Sequence, residues 1–446
     1  MVATSCQDAS EMGRPMRIAY VVHKFPPESL GGVEIYTWGL ASTLARMGHH
    51  VAVFYPLANL DPAEACVESD GIRLWRAPLP AGRISEGPVH QYWHTFRDRA
   101  IEAAFQRFLA EVQPQVVHFQ HVQGVSARLI ALAAGRPRLA TLHDYWFYCA
   151  NSQLRRPDGQ LCLDPGWGRD CVACHTVRAD LRWLRRLRPW VALPFAYRNL
   201  YLRRVAAQID LFLSPSEFLR QQYIRQGFRA ERIITMENGL DTERLTQPPE
   251  IELPPPPGRP HFGFLGALAW HTGVHVLVEA VNPLPESAAL TIYGDETAFP
   301  EYVAQVKAAV QHPRVRFAGP ADYRHVGLVL RRLDCLVVPS LWYENSPLVI
   351  QEAYAAGLPV VASRLGALAE KVRDGHTGRL FTAGDSADLT RVLRELVEEP
   401  QRLEEFRAQI RPAPTMEEHA QRLVALYRPL IMGIGEPRTC PSKRGG

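Results

Sequence analysis

The sequence lacks the long apolar runs that anchor a protein in a membrane. No stretch of about 18 consecutive apolar residues occurs, so no transmembrane helix is predicted. The first fifteen residues contain no apolar core of the kind that a secretory signal needs, and we expect them to be disordered. These absences predict a cytoplasmic protein whose cysteines stay reduced.

The sequence also lacks a strong charge imbalance. It has 50 basic and 46 acidic residues, and a formal net charge of +4 gives no reason to expect a nucleic-acid partner. No internal repeat with the period of a solenoid is present. At 446 residues the chain is too long for one ordinary core. Two domains of roughly 200 residues each are therefore predicted.

Strand and helix patterns alternate along the chain. An apolar run at residues 17–22 is followed by apolar positions at helical spacing over 33–47 and by a second apolar run at 51–54. This βαβ unit indicates a parallel sheet. Two tandem α/β domains, each a doubly wound sheet, are predicted, with further strands at 116–119, 139–142, 211–213, 233–236, 261–265, 289–293, 315–318, 335–338 and 360–362.

A proline-rich stretch divides the chain. Residues 247–260, QPPEIELPPPPGRP, contain seven prolines, which is typical of a stiff, extended linker. The prediction is an N-terminal domain over 16–246, with a cysteine-rich insertion at about 149–175, and a C-terminal domain over 261–412. Residues 413–432 are predicted to form a last helix that packs on either domain, and 433–446 a loose tail.

Two glutamates stand eight positions apart in the stretch ENSPLVIQE. Glu344 is predicted on a loop, and Glu352 on a helix that runs from Pro347 to about Ala356 with Ser346 as its N-cap. Eight residues at about 100° each place the two side chains roughly 80° apart, so one helical face does not explain them. The helix N-terminus between them suits a diphosphate, and two carboxylates suit the hydroxyls of a nucleotide sugar. The alternative is two solvated glutamates.

This stretch resembles the signature of the family 4 glycosyltransferases, E-x7-E followed by A-x-A-x-G-x-P-V-V. The resemblance covers about residues 17–410 and includes Gly31-Gly32-Val33-Glu34, His143-Asp144 and Gly378. It implies the GT-B fold, an α/β architecture in which two Rossmann-like domains face each other across a cleft. It further implies a hexosyltransferase that moves a sugar from a nucleoside-diphosphate sugar with retention of configuration. No cofactor is implied for catalysis.

The resemblance also implies roles for individual residues. Glu344 and His143 are expected at the donor sugar and Glu352 at the ribose. The donor phosphates are expected to meet backbone N–H groups from Ser346 to Leu348. The rest of the expected donor site consists of Gly32, Gly266, His271 and Pro347. The acceptor is expected to be a glycan or a lipid-linked molecule in polysaccharide biosynthesis.

One part of the family pattern is missing. The usual Arg and Lys positions beside the diphosphate hold Ala267 and Thr272. Losing one charge-assisted contact commonly costs about 1.5–3 kcal/mol. A protonated His271 or His275, or Arg364, is a candidate substitute. The alternatives are a weakly active or non-catalytic relative that binds sugar nucleotides, and another GT-B activity such as an epimerase or a phosphorylase.

Four cysteines crowd into the insertion. The last two form a C-x2-C motif, which supplies two thiolate ligands on one turn of chain. The residues between the cysteines are rich in Gly, Pro and Asp, which is typical of a loop with little core of its own. A structural Zn²⁺ that orders this segment is therefore a hypothesis. The alternative is a set of reduced thiols, some of them buried. The candidate ligands are Cys149, Cys162, Cys171 and Cys174.

The segment 178–204 mixes eight arginines with aromatic residues and contains one aspartate. Basic and aromatic side chains together suit an anionic membrane surface, so peripheral contact with the inner face of the membrane is predicted. The alternative is a helical hairpin that packs in the N-terminal domain with solvated arginine tips.

Overall fold

The computed structural model describes residues 14–29, 31–58, 60, 65–79, 88–164, 168–178, 188–242, 245, 258–322 and 325–435. The predicted N-terminal segment 1–15, the linker 247–260 and the tail 433–446 lie largely outside these ranges, as do residues 179–187 of the arginine-rich segment.

The N-terminal sheet has eight strands in the order β3-β4-β2-β1-β5-β6-β7-β8. All neighbouring strands are parallel except β3 and β4, which form an antiparallel edge. The central strands are buried on both faces, which explains why they appear in the sequence as continuous apolar runs. The strands are β1 (Arg17–Val21), β2 (His50–Ala58), β3 (Cys66–Ser69), β4 (Ile72–Leu79), β5 (Val116–Phe119), β6 (Arg138–Thr141), β7 (Leu211–Ser214) and β8 (Ile233–Thr235).

Helices cover both faces of this sheet. The carboxylate of Asp98 caps α3 by accepting a hydrogen bond from the Ile101 N–H, and the helix ends just before Pro114. The helices are α1 (Gly32–Arg46), α2 (Pro88–Phe96), α3 (Arg99–Val112), α4 (Leu129–Leu132), α5 (Cys171–Arg178), α6 (Arg188–Ala206) and α7 (Glu217–Arg225).

The C-terminal sheet has six parallel strands in the order β11-β10-β9-β12-β13-β14. This is the doubly wound order, and the predicted GT-B-type arrangement of two parallel α/β domains is confirmed. The elements are β9 (His261–Leu265), α8 (Val274–Val281), β10 (Ala289–Tyr293), α9 (Pro300–Ala308), β11 (Val315–Phe317), α10 (Val326–Leu330), β12 (Cys335–Val338), α11 (Leu348–Ala355), β13 (Val360–Ser363), α12 (Gly366–Lys371), β14 (Gly378–Phe381), α13 (Ser386–Glu398) and α14 (Gln401–Gln409).

The last helix, α15 (Met416–Gly435), returns to the N-terminal domain. The Tyr36 hydroxyl lies 2.6 Å from Nε2 of His419. The Tyr427 hydroxyl lies 2.6 Å from Nδ1 of His118 and 3.0 Å from the Tyr20 hydroxyl. These buried bonds fix α15 on the first sheet and so tie the two ends of the chain together.

Strand order places the cleft. In the C-terminal sheet the direction of winding reverses between β9 and β12, and the loops at their carboxyl ends, 266–273 and 339–347, lie at this switch point, where open α/β sheets bind ligands. The backbone at Gly273 lies so close to the Pro339 carbonyl that a Cβ would clash, and a φ of 75° there also favours glycine. The two loops therefore pack against each other at the edge that faces the N-terminal domain.

Candidate active site

The loop and helix after β12 carry the two sequence-predicted glutamates. All four residues of β12 are buried, the loop 339–347 leaves its carboxyl end, and α11 follows. The chain turns back at Gly357, whose φ of 68° lies in the left-handed region, and enters β13. The order strand, loop, helix, strand is the one that the sequence predicted.

The start of α11 differs from the prediction. Pro347, with a ψ of 103°, takes the N-cap position, and the helix begins at Leu348. Ser346 is therefore not the N-cap, and its hydroxyl is buried without a hydrogen-bond partner. The reason is tertiary. The preceding residue, Asn345, is bonded on both sides to the N-terminal domain, which keeps the chain extended up to Pro347. No side chain caps the helix, so its first N–H groups remain available.

Glu344 lies in the cleft with one oxygen bonded to its own loop. Its Oε1 accepts hydrogen bonds from the Trp342 indole N–H at 2.8 Å and from the Ser340 hydroxyl at 3.1 Å. Burial raises the pKa of Glu344, and the two donors partly offset that rise. The side chain is therefore held in one orientation, and its ionised form is disfavoured relative to an exposed glutamate.

Two helix N-termini meet beside this loop. A Cβ built on Gly32, the first residue of α1, would lie 3.7 Å from Cδ1 of Leu348, the first residue of α11. The positive ends of both helix dipoles therefore face the same space. Glu352 lies in the second turn of α11, with only 8% of its surface exposed. The structure thus brings Gly32 to the segment of the cleft that contains Glu344, Ser346 and Leu348, with Glu352 in the next helical turn.

His143 follows β6 and faces this space from the N-terminal domain. Its Nε2 lies 2.8 Å from the Gln120 side-chain oxygen, and its ring is 5.3 Å from that of Tyr36. Burial, and then the positive charge of His121, lower its pKa to about 3 although Asp144 acts in the opposite direction. His143 is therefore neutral near physiological pH and acts as a hydrogen-bonding group, not as a cation.

A partly buried ion pair lies next to His143. His121 Nε2 is 2.7 Å from the Asp144 carboxylate. Burial alone would lower the pKa of His121, but Asp144 and then Glu34 raise it above its ordinary value. Glu34 also lies 3.6 Å from His23 and accepts a hydrogen bond from Ser29. The carboxyl ends of β1, β5 and β6 thus form a polar surface on the N-terminal side of the cleft.

The loop after β9 offers no positive side chain. The Thr272 hydroxyl turns back onto the Ala267 and Ala269 carbonyls, at 2.8 and 2.7 Å. Burial, and then the charge of Arg155, lower the pKa of His271 to about 4. In this structure His271 is therefore neutral near physiological pH, and its role as a substitute cation stays a prediction. Its backbone carbonyl accepts from Leu341 N–H, and its ring lies 5.5 Å from that of Trp342, within the site.

The other two candidate cations are engaged elsewhere. Nδ1 of His275 lies 2.9 Å from the Tyr302 hydroxyl, and burial lowers its pKa. Arg364 pairs with Asp374 at 2.7 Å. In this structure both side chains are paired within the C-terminal domain, and their role as substitute cations stays a prediction.

The four insertion cysteines are buried close to one another, each with 6 or 7% of its surface exposed. They are free thiols. Burial, and then the neighbouring cysteines, raise the pKa of Cys171. Within the described ranges, no group of three or more His, Cys, Asp or Glu side chains has an arrangement that holds a metal. The zinc site over Cys149, Cys162, Cys171 and Cys174 remains a prediction.

Helix α6 carries part of the arginine-rich segment. Its Arg198 is buried, donates to the Trp146 carbonyl at 2.8 Å and lies over the Trp146 ring. The Tyr201 hydroxyl donates to the Phe96 carbonyl of α2 at 3.1 Å. One side of α6 therefore packs in the N-terminal domain. The other side leaves large apolar residues exposed at helical spacing: Trp190, Leu193, Tyr197 and Leu200.

Sequence models of two families match the chain. "Glycosyltransferase Family 4" matches residues 30–244 and "Glycosyl transferases group 1" matches residues 259–399, one for each domain. The glycogen synthase of Mycobacterium tuberculosis is 26% identical over 399 residues, which cover 86% of this chain and 87% of that protein. The chain belongs to the family 4 glycosyltransferases. It is a glycosyltransferase, and the predicted family, fold and enzyme class are confirmed.

Solved structures with the same architecture cover nearly all of this glycosyltransferase. The sucrose-phosphate synthase of Thermosynechococcus elongatus superposes with a TM-score of 0.67 at 20% identity, over 93% of this chain and 99% of that one. HepE of Anabaena, solved in complex with UDP and glucose, superposes with a TM-score of 0.60 at 18% identity, over 95% of this chain and 100% of that one. At these identities the likeness establishes the fold.

Several residues of this cleft were not predicted from the sequence. Trp342 and Ser340 hold Glu344, Gln120 contacts His143, and Glu370 accepts from two backbone N–H groups at the start of α7 across the cleft. Only Trp342, two positions before Glu344, is close enough in the sequence for its contact to have been predicted locally. The other contacts join residues far apart in the sequence.

Proposed function

We propose that this glycosyltransferase moves a hexosyl group from a nucleoside-diphosphate sugar to a hydroxyl of a glycan or lipid-linked acceptor. The observation that supports this most strongly is the meeting of two helix N-termini, at Gly32 and Leu348, in a cleft flanked by Glu344 and Glu352. Helix N-termini bind phosphate through free N–H groups and the helix dipole. The donor's diphosphate lies between these helix ends.

The buried hydroxyl of Ser346 supports the phosphate position. It has no hydrogen-bond partner, and it stands two residues before the first helical residue of α11. A buried unpartnered hydroxyl is costly, and a phosphate oxygen would satisfy it. Glu352 then holds the ribose hydroxyls on one side of the diphosphate, and Glu344 holds the sugar hydroxyls on the other.

The protein's contribution to catalysis is positioning and charge stabilisation. The bond between the anomeric carbon and the diphosphate oxygen breaks, and a bond to the acceptor oxygen forms. The products are a nucleoside diphosphate, the glycosylated acceptor and a proton. Neutral His143 hydrogen-bonds the donor sugar from the N-terminal domain. We further propose retention of configuration, which the family resemblance supports and which NMR of the product's anomeric proton tests.

The nucleotide base is tested by a thermal-shift screen of UDP-, GDP- and ADP-glucose. Binding of one of them raises the melting temperature. Release of the matching nucleoside diphosphate without added acceptor, together with its loss in Glu344→Ala, then separates an enzyme from a binding protein. A wild type that binds the donor but releases no diphosphate would support the alternative, a non-catalytic relative, which the replacement of both family cations by Ala267 and Thr272 favours.

We also propose that the protein is cytoplasmic and docks peripherally on an anionic membrane through α6. Trp190 is 73% exposed and Trp93, on the neighbouring α2, is 64% exposed. Large exposed apolar side chains beside an arginine-rich segment suit an interface with anionic lipid. In the portion of the chain that the structure covers, no helix combines the length and apolar character needed to cross a bilayer.

Vesicle sedimentation at low salt tests this docking. We expect the wild type to bind phosphatidylglycerol-containing vesicles and to stay in solution with pure phosphatidylcholine. The double variant Trp93→Ala/Trp190→Ala should lose binding without losing donor hydrolysis. A wild type that ignores the anionic vesicles would contradict the proposal.

A further inference from the structure

The two loops that flank the proposed diphosphate position contain no lysine or arginine. Residues 266–273 read GALAWHTG, and residues 339–347 read PSLWYENSP. Lys371, at the end of α12, forms an ion pair with Glu237. A negatively charged leaving group at this position would therefore meet backbone N–H groups of the C-terminal domain. It would meet no positively charged side chain from these two loops.

A hairpin from the other domain reaches this cation-poor loop. The hairpin, residues 154–161 of the cysteine-rich insertion, is closed by Cys162 N–H to the Leu154 carbonyl at 2.7 Å and by Arg156 N–H to the Gln160 carbonyl at 2.8 Å. At its tip, Gly159 has a φ of 85° and lies so close to the Trp270 indole that a Cβ would clash. The hairpin thus packs directly on the loop that follows β9.

The two consecutive arginines of the hairpin leave it on opposite faces, as neighbours on an extended strand do. Arg156 extends toward Asp170, 3.4 Å away, and toward the Cys162 thiol. The backbone of Arg155 forms an antiparallel bridge with Leu161 across the hairpin. The alternation of side chains along a strand then places the Arg155 side chain on the face opposite to that of Arg156. The positive charge of Arg155 reaches the His271 ring, where it contributes to the lowered pKa. Because the tip of the same hairpin packs on Trp270, next to His271, Arg155 is the arginine of the hairpin that lies near the loop after β9.

The place that Arg155 faces is the sugar end of the proposed donor site. The His271 ring lies 5.5 Å from that of Trp342, whose indole N–H donates to Glu344. Because Glu344 is proposed to hold the sugar hydroxyls, the phosphate nearest to Arg155 is the one joined to the sugar.

We propose that Arg155 binds the sugar-linked phosphate of the donor from the N-terminal domain and supplies the positive charge that Ala267 and Thr272 do not. This inference rests on the proposed function and adds one residue to it. A guanidinium suits the task because it stays charged and grips phosphate with two parallel N–H groups. The charge also sits on the opposite domain, so it stabilises the leaving group only while the cleft is closed.

Asn151 connects the buried cysteines of the insertion to the hairpin that carries Arg155. The Asn151 side-chain amide donates to the Arg155 carbonyl at 2.7 Å, and the Asn151 side-chain oxygen accepts from the Cys149 thiol at 2.8 Å. The four buried cysteines of the insertion form a thiol cluster: Cys149, Cys162, Cys171 and Cys174. Through Asn151 this thiol cluster holds the hairpin backbone at Arg155.

Titration calorimetry on the full chain tests the proposal. UDP, GDP and ADP are titrated into the wild type, and the tightest binder and its monophosphate are then titrated into the variants. We expect Arg155→Ala to weaken diphosphate binding by about tenfold or more and to leave monophosphate binding unchanged. Arg155→Gln is a second variant in case alanine disturbs folding. Arg156→Ala, the neighbour on the opposite face, is the matched control and should leave both affinities unchanged.

A second measurement tests whether a cation at position 272 and the guanidinium of Arg155 bind the same phosphate. Thr272→Lys, placed in the Arg155→Ala background, should restore much of the lost diphosphate affinity, because it returns a cation to the family position. A double variant as weak as Arg155→Ala would contradict this equivalence. If the wild type binds a diphosphate and both Arg155 variants bind it equally well, the Arg155 proposal is wrong and the proposed function stands. If the wild type binds none of the three nucleotides, both are wrong.

Discussion

The side-chain amide of Asn345 donates a hydrogen bond of 2.9 Å to the backbone carbonyl of His143. This bond crosses the cleft and joins the residue after Glu344 to the residue expected at the donor sugar. On its other side, the Asn345 carbonyl accepts from the Ser216 hydroxyl at 2.7 Å. In this closed arrangement the two bonds hold the loop after β12 against the N-terminal domain.

Removing this bond should impair turnover. We expect Asn345→Ala to lower kcat/KM for the donor by about two- to tenfold, since an intramolecular hydrogen bond contributes about 0.5–1.5 kcal/mol. Initial rates of nucleoside diphosphate release measure the effect, and a melting curve of the same variant shows that it folds. An unchanged kcat/KM in the folded variant would show that the cleft is positioned by other contacts.

Glu344 should make stability depend on pH. Its pKa in the folded protein is raised above the ordinary 4.5, mainly by burial. Folding therefore favours its neutral form, and this contribution is fully present below the unfolded pKa and lost as pH rises through the folded pKa. Glu344→Gln keeps an acceptor for Trp342 and Ser340 and removes the buried charge.

We accordingly expect Glu344→Gln to melt at a higher temperature than the wild type at pH 7–8, with the difference vanishing below about pH 4.5 as both side chains become neutral. The same variant should lose donor hydrolysis. Melting curves across pH measure the first effect. If the variant is less stable than the wild type at pH 8, the claim that the buried charge of Glu344 destabilises the fold is wrong.

Thr272→Lys should strengthen the donor site. The substitution removes the Thr272 hydroxyl from the Ala267 and Ala269 carbonyls, which costs some loop stability, and places an ammonium near the leaving group. We expect a higher rate of donor hydrolysis and tighter diphosphate binding. An equal or lower rate in a folded variant would indicate that the cation-poor loop is not a weakened diphosphate clamp.

The thiol cluster should respond to loss of one member. If a structural Zn²⁺ is bound, the purified wild type contains about one metal per chain, and Cys171→Ser loses it together with stability and hairpin order. Elemental analysis and melting curves measure both. A metal-free, fully folded wild type would leave four buried reduced thiols as the account of this insertion, with the hairpin held by Asn151 and packing alone.

Local patterns were sufficient to predict the parallel strands and the carboxyl-edge location of the site. Apolar runs bounded by helical periodicity mark β1, β9 and β12, because strands buried on both faces must be apolar throughout. The edge strand β3 and its neighbour β4 were not predicted, since β3 is largely exposed and carries little apolar signal. β14 was not predicted either, because its four residues, GRLF, begin with a glycine and an arginine and so leave only two apolar positions.

Long-range contacts set what local patterns could not predict. The N-cap of α11 depends on Asn345 being held by the N-terminal domain, and the docking of α15 depends on buried bonds of Tyr427 with residues about 300 and 400 positions away. Arg155 and His271 likewise come together only when the two domains face each other. Such pairs leave no spacing signal in one sequence.

The central claim is that the donor's diphosphate lies between the ends of α1 and α11. Gly32→Ala tests it directly. Gly32 is the first helical residue of α1, so alanine fits its backbone, but the added Cβ stands 3.7 Å from Leu348 Cδ1 in the space assigned to the phosphates. Calorimetry should show diphosphate binding weakened by at least about tenfold with an unchanged melting temperature. A folded Gly32→Ala that binds the nucleoside diphosphate as tightly as the wild type would contradict the account.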